Sequence, residues 1–162
     1  MNIILIGMPS SGKSTIGKAL AEKLGMRFID TDALMLEKVK KPLKEVVNHE
    51  GLQRFLEIQN ETVTGLAVDN AVVSTGGSCI YNENAMVHLR KSGRVFFLKL
   101  SIEELEARIS SERRFARKED QSFADLYNER TPLYQKFSDT TIECSGKSEG
   151  EIVSEIEAVV SN

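Results

Sequence analysis

Short apolar runs alternate with helical stripes along this chain. Asn2–Ile6 is apolar after its first residue and too short for a helix, so it reads as a buried strand. Residues 13–24 place Ile16, Leu20 and Leu24 on one helical stripe, and Gly25 supplies the stop. Phe28, Ile29 and Asp30 form a short second strand, after which Thr31 or Asp32 can start a helix. Pro42 suits the first turn of another short helix. Over 52–66, Leu52, Phe55, Gln59, Val63 and Leu66 recur at the spacing of a longer helix. Ala71–Ser74 is a strand ended by Gly76 and Gly77, and Asn82 can cap a helix running to about Leu89.

The remaining pattern has the same rhythm. Residues 95–98 are apolar with little alternation, which suits a strand covered on both faces. Ser101 and Ser148 each stand three residues before a glutamate, the reciprocal pattern of a helix start. Residues 125–135 read as helical despite Pro132, 140–143 as a last strand, and Ile152, Ile156 and Val159 as the stripe of a final helix. Strands alternating with helices predict one three-layer α/β domain over 1–162 with a mainly parallel sheet. The stretch 110–121 breaks the rhythm, being dense in charge and nearly devoid of apolar residues. It is expected to be a solvated connection or a lid spanning about 109–122.

Size and charge narrow the classes. At 162 residues the chain is long enough to bury a core, and 41% hydrophobic with 28% charged residues is the balance of a soluble domain. A net charge of −3 argues against a general nucleic-acid partner. Cys79 and Cys144 are too few for a disulfide scaffold and are expected to be buried thiols, while two histidines exclude a histidine-rich metal site. No apolar run approaches the roughly 20 residues of a membrane helix. The N-terminal apolar stretch passes straight into a glycine turn instead of continuing as a signal peptide. The expectation is a cytoplasmic protein with a small-molecule substrate, no nucleic-acid or membrane partner, and a monomeric state with at most weak homodimers.

The chemistry collects at strand ends. Gly7-Met-Pro-Ser10-Ser11-Gly12-Lys13-Ser14 satisfies GxxxxGK[ST] between a strand and a helix. Such a loop turns backbone N–H groups inward and adds the positive end of the following helix, which together hold phosphate oxygens. Gly7, Ser10, Ser11, Gly12, Lys13, Ser14 and Thr15 are the predicted nucleotide-binding set: Lys13 reaches the β- and γ-phosphates, and Ser14 offers its hydroxyl to Mg²⁺. GTPase switches, ATPase motors and small-molecule kinases share this loop. The chain leaves little room for relay elements and has no NKxD-like guanine reader, which favours a kinase of a metabolite.

Asp30 and Asp32 lie at the end of the second strand, the edge that faces the phosphate loop in a parallel sheet. One carboxylate can orient Mg²⁺ through water and the other can accept the attacking hydroxyl's hydrogen bond; the plain alternative is that either caps the next helix. The turn at Gly76 and Gly77 would present N–H groups to a substrate oxygen. Arg108, Arg113, Arg114, Arg117 and Arg130 are the candidates for stabilising a transferring phosphoryl group.

Taken together, GMPSSGKSTIGKALAEKLGMRFIDTD, VVSTGG and ERTPLY resemble the shikimate kinase family, within the nucleoside-monophosphate-kinase-like P-loop proteins, over essentially the whole chain. The resemblance implies a five-stranded parallel sheet of order 2-3-1-4-5, a substrate region at about 31–66, a closing lid, and transfer of the ATP γ-phosphate to the 3-hydroxyl of shikimate with Mg²⁺. By the same resemblance Asp30 and Ser14 lie at Mg²⁺, and Asp32 contacts the acceptor hydroxyls. Gly76, Gly77 and Arg130 bind substrate, Arg108 packs over adenine, and Lys13 acts in transfer with Arg113 or Arg114.

Three departures stand out. The family reads GE, two residues, then FR, whereas this chain has Gly51-Leu52-Gln53-Arg54-Phe55-Leu56, so Leu56 replaces an arginine expected to grip the shikimate carboxylate. Arg54 is two positions away, on roughly the opposite helix face, and is not a direct substitute. Ser78 stands for the third glycine of a triplet, and the Arg-Pro-Leu-Leu of the lid becomes Arg113-Arg114-Phe115-Ala116. Losing a bidentate arginine–carboxylate bond weakens binding by about a hundredfold, roughly 2.8 kcal/mol. Restoring arginine at position 56 is therefore expected to improve shikimate affinity. The alternatives are a kinase of a different small hydroxy compound and a non-catalytic nucleotide-binding regulator.

Overall fold

The apolar N-terminal run takes the centre of the sheet. The computed structural model describes residues 1–109 and 121–162. Its strands are β1 (Asn2–Ile6), β2 (Arg27–Asp30), β3 (Ala71–Ser74), β4 (Gly93–Lys99) and β5 (Thr140–Glu143), all parallel in the order β2-β3-β1-β4-β5. This is the order 2-3-1-4-5 expected from the family resemblance. All five residues of β1 and all four of β3 are buried, because helices cover both faces of the sheet.

Leu5 pairs with Ser74, which pairs with Asp30, so the C-terminal ends of β1, β3 and β2 are level. Thr75 fixes that level with two bonds to the Leu5 carbonyl: its N–H at 3.2 Å and its hydroxyl at 2.9 Å. The chain leaves β1 between β3 and β4 in a crevice that opens beyond the carboxyl ends, where ligands bind in open α/β sheets.

The helices are α1 (Lys13–Leu24), α2 (Thr31–Val39), α3 (Leu43–Glu45), α4 (Leu52–Thr64), α5 (Glu83–Ser92), α6 (Ile102–Arg108), α7 (Phe123–Phe137) and α8 (Glu149–Ser161). Gly25 ends α1 as expected, with the Met26 N–H bonding the Ala21 carbonyl at 2.8 Å. Ser148 and Glu151 make both bonds of the reciprocal cap on α8. At α6 the pattern is only half used. Ser101 accepts from the Glu104 N–H at 3.2 Å, but the Glu104 carboxylate turns to the Gly146 N–H at 3.1 Å.

α7 starts two residues before the expected position, since Ser122 and Asp125 form a reciprocal cap. Pro132 is tolerated inside α7 because it lies on the exposed side; the Asn128 carbonyl that loses its donor is on an exposed residue too.

Two apolar clusters form. The main one encloses the sheet, with Ile4, Leu5, Ile6 and Phe96 wholly buried. A smaller one, Met35, Val46, Val47, Phe55 and Ile58, packs α2, α4 and the turn between them. That turn, Val46–Glu50, is a π-helical segment that buries two consecutive valines. It supports the wall of the crevice on the side of the substrate region expected at about 31–66. Among the described residues no helix is long and apolar enough to cross a membrane.

Candidate active site

The phosphate loop closes on its own lysine. Gly7 has φ +154° and a β-carbon there would sit 2.9 Å from the Leu98 carbonyl oxygen; Gly12 has φ +92°. Lys13 is buried, and its Nζ donates to the Gly7 and Met8 carbonyls at 2.8 Å each and to Ser11 Oγ at 3.4 Å. α1 begins just after Gly12, with no side-chain cap and no acidic residue in its first turn. Its first amides and positive dipole end therefore remain directed at the crevice. A buried cation beside an uncapped helix start fits a polyphosphate. Arg108 reaches the same loop from α6, donating to the Ser10 carbonyl at 3.4 Å.

Asp30 carries two of the alternatives at once. It caps α2, with Oδ1 accepting from the Asp32 N–H at 2.9 Å, and its other oxygen accepts from Ser14 Oγ at 3.3 Å. A serine hydroxyl beside a carboxylate oxygen is the hard-oxygen donor set that suits Mg²⁺. Asp32, in the first turn of α2, faces the glycine turn after β3. A β-carbon at Gly76 would sit 2.6 Å from Asp32 Oδ1 and 3.0 Å from Gln59 Nε2. Gly76→Ala is thus expected to push Asp32 or Gln59 aside and lower kcat by about ten- to a hundredfold, while ATP affinity stays unchanged in a titration.

Gln59 sits wholly buried behind that turn. Its Oε1 accepts from Ser78 Oγ at 3.2 Å and from Asn82 Nδ2 at 3.3 Å. Ser78 has φ −92°, which needs no glycine, and its hydroxyl bonds into the support of the turn. The departure at position 78 is therefore accommodated. Cys79, next along, is a free buried thiol pushed up to about 12 by burial and by the Asp32 charge; Cys144 is likewise free and pushed up to about 11 by burial.

Arg130 is 1% exposed on α7. Its Nε donates to the Tyr81 hydroxyl at 3.3 Å, its guanidinium lies 5.2 Å from the Tyr81 ring centre, and a β-carbon at Gly77 would be 3.0 Å from its Nη1. The Tyr81 hydroxyl in turn bonds Glu129. One turn along α7, Tyr134 donates to the Gly77 carbonyl at 2.6 Å; burial pushes its phenol up to about 12. The Gly76–Gly77 turn is thereby clamped between α4 and α7.

A cavity of about 290 Å³ joins these pieces. Ser10, Gly12, Lys13, Ser14, Thr15 and Asp30 line one end; Asp32, Gly76, Gly77 and Arg130 line the other, with Leu43, Val47 and Phe55 as an apolar wall. Gly7 and Ser11 support the loop, and Arg108 stands beside it. Arg113, Arg114 and Arg117, and most of the 109–122 lid, lie outside the described residues.

Position 56 bears on the first departure. Leu56 packs, half-buried, on the small apolar cluster and is not part of the cavity wall. Arg54 is exposed and paired with Glu57 at 3.4 Å, so it does not take over the vacated role. Sequence reasoning missed Gln59 as a support, because it was one member of an apolar stripe. It also missed Tyr81, the partner of Arg130; for Gln59 the available signal was a lone polar residue in that stripe.

The shikimate kinase family matches residues 9–161. A shikimate kinase of Geobacter sulfurreducens is 35% identical over 164 residues, covering 98% of this chain and 90% of that one. Among solved structures, shikimate kinase from Aquifex aeolicus superposes with a TM-score of 0.86 at 27% identity, covering 99% of this chain and 96% of that one. Shikimate kinase from Acinetobacter baumannii in complex with shikimate gives 0.83 at 26% identity, over 98% and 92%.

Proposed function

The chain belongs to the shikimate kinase family, and from that membership we propose that it transfers the ATP γ-phosphoryl group to the 3-hydroxyl of shikimate. It is an ATP-binding kinase of a small hydroxylated metabolite; shikimate is the acceptor that the whole site supports best. The observation that carries this reading is the single cavity running from the phosphate loop to Asp32 and Arg130.

In this reading Lys13 and the N–H groups that open α1 hold the β- and γ-phosphates and stabilise the charge that spreads during transfer. Ser14 and Asp30 would hold Mg²⁺, which when bound screens the phosphates and fixes their orientation. Arg108, beside the Ser10 carbonyl, covers the base side of the nucleotide. Asp32 accepts the hydrogen bond of the acceptor hydroxyl and takes its proton as the oxygen–phosphorus bond forms and the β,γ bridge breaks, leaving ADP. The Gly76–Gly77 turn and Arg130 hold the acceptor, and Leu43, Val47 and Phe55 press on its ring and keep water away.

Arg130→Met is expected to raise the KM for shikimate about a hundredfold, from loss of a charge-assisted bidentate bond, with the KM for ATP nearly unchanged. Arg130→Lys should recover little, because an ammonium lacks the planar fork that stacks on Tyr81. Product analysis by ³¹P NMR tests the reaction itself. A new phosphomonoester signal appearing with ADP supports it; inorganic phosphate as the sole new product contradicts it.

The absence of arginine at position 56 favours a second acceptor, a related hydroxy acid whose carboxylate sits elsewhere in the cavity. A purely regulatory nucleotide binder is set aside, since the described loop, carboxylates and Arg130 are all in place.

A further inference from the structure

The substrate side of the cavity has a second cation that the family resemblance does not supply. Lys44, in the middle of α3, lines the cavity beside Leu43. Four lysines lie close together along this segment. Lys38 pairs with Glu61 at 3.0 Å and Lys41 pairs with Glu50. Lys40 ends α2 and does not line the cavity. Lys44 alone of the four faces the cavity, and among the described residues it makes no ion pair or side-chain hydrogen bond.

The other cations of the wall are buried, Lys13 bonded to the loop carbonyls and Arg130 to the Tyr81 hydroxyl. Lys44 is exposed. Its neighbours Leu43 and Val47 belong to the apolar wall, a surface of lower polarity than water, where an ion pair is stronger than at an open surface.

We propose that Lys44 is a specificity-determining residue that binds the carboxylate of the acceptor, in the role that Leu56 cannot fill. The acid is then held between a buried arginine on α7 and an exposed lysine of the cavity wall. An ammonium on a flexible stem accepts a carboxylate from many angles, whereas a guanidinium demands coplanarity. The site should therefore accept hydroxy acids whose carboxylate is placed differently around the ring. This inference rests on the kinase reading above.

The test is steady-state ADP release with Mg-ATP and a panel of ring and open-chain hydroxy acids, shikimate first, each beside its methyl ester. Lys44→Ala is expected to raise the KM for the preferred acid about tenfold, with kcat and the KM for ATP held, and Lys44→Arg should restore most of the loss. The KM for the acid should rise with ionic strength in the unmodified enzyme and much less in Lys44→Ala. The ester should bind both enzymes alike.

Acid-stimulated turnover that Lys44→Ala leaves unchanged overturns the lysine assignment and spares the kinase reading. Equal use of acid and ester by the unmodified enzyme overturns it too. Turnover stimulated by no acid removes the acceptor reading and the lysine assignment together.

Discussion

Lys13→Ala is expected to lower kcat/KM for ATP about a thousandfold, the upper range for removing one preorganised charge from a transferring group. Two losses combine. The ammonium proposed to hold the phosphates disappears, and so do the two 2.8 Å bonds by which it gathers the Gly7 and Met8 carbonyls. Lys13→Arg should not rescue, because a planar guanidinium cannot replace a compact ammonium seated between two carbonyls in a buried loop. Burst kinetics separate the components: weak ATP binding with a slow chemical step is expected. Wild-type chemistry once ATP is saturating would confine Lys13 to binding and contradict its role in transfer.

Asp32→Asn is expected to lower kcat about a thousandfold while changing the KM for shikimate only a few-fold. The amide keeps the size of the carboxylate, and the α2 cap survives, because Asp30 Oδ1 bonds the backbone N–H of residue 32 and not its side chain. What the proposed mechanism then loses is an acceptor for the hydroxyl proton, a general-base contribution of about a hundred- to ten-thousandfold. A fall of less than about tenfold would mean that water carries the proton and Asp32 only orients. Thermal unfolding of the variant close to the unmodified protein would exclude a folding defect.

These two residues were the most legible part of the site, for local reasons. Five apolar residues, two glycines and the Lys13–Ser14 pair lie within thirteen consecutive positions, and their spacing alone fixes a strand, a loop and a helix. The edges of β1, β2 and β3 follow from parallel pairing, so Asp30, Asp32, Gly76 and Gly77 arrive at one crevice. Asp30 shows the limit of reading one role per residue: its two oxygens divide between capping α2 and facing Ser14.

What was not legible depends on contacts remote in sequence. The π-helical turn at Val46–Glu50 has no local signal, since its two valines are placed by Met35, Phe55 and Ile58 around them. Gln59 has the spacing of a core residue, and only the fold shows that Ser78 and Asn82 meet its oxygen. The start of α7 was misplaced because Asp125 substitutes for the glutamate or glutamine usual at that cap position. Lys44 looks like any solvated lysine until α3 is set beside the cavity.

The most direct measurement is ADP production from Mg-ATP with and without shikimate. Phosphoryl transfer to shikimate, with Arg130 and Lys44 sharing its carboxylate, predicts strong stimulation that saturates below about 1 mM shikimate, within the ordinary range of enzyme KM values. ADP production that shikimate leaves unchanged up to many times that concentration, in a protein that binds ATP, would contradict it.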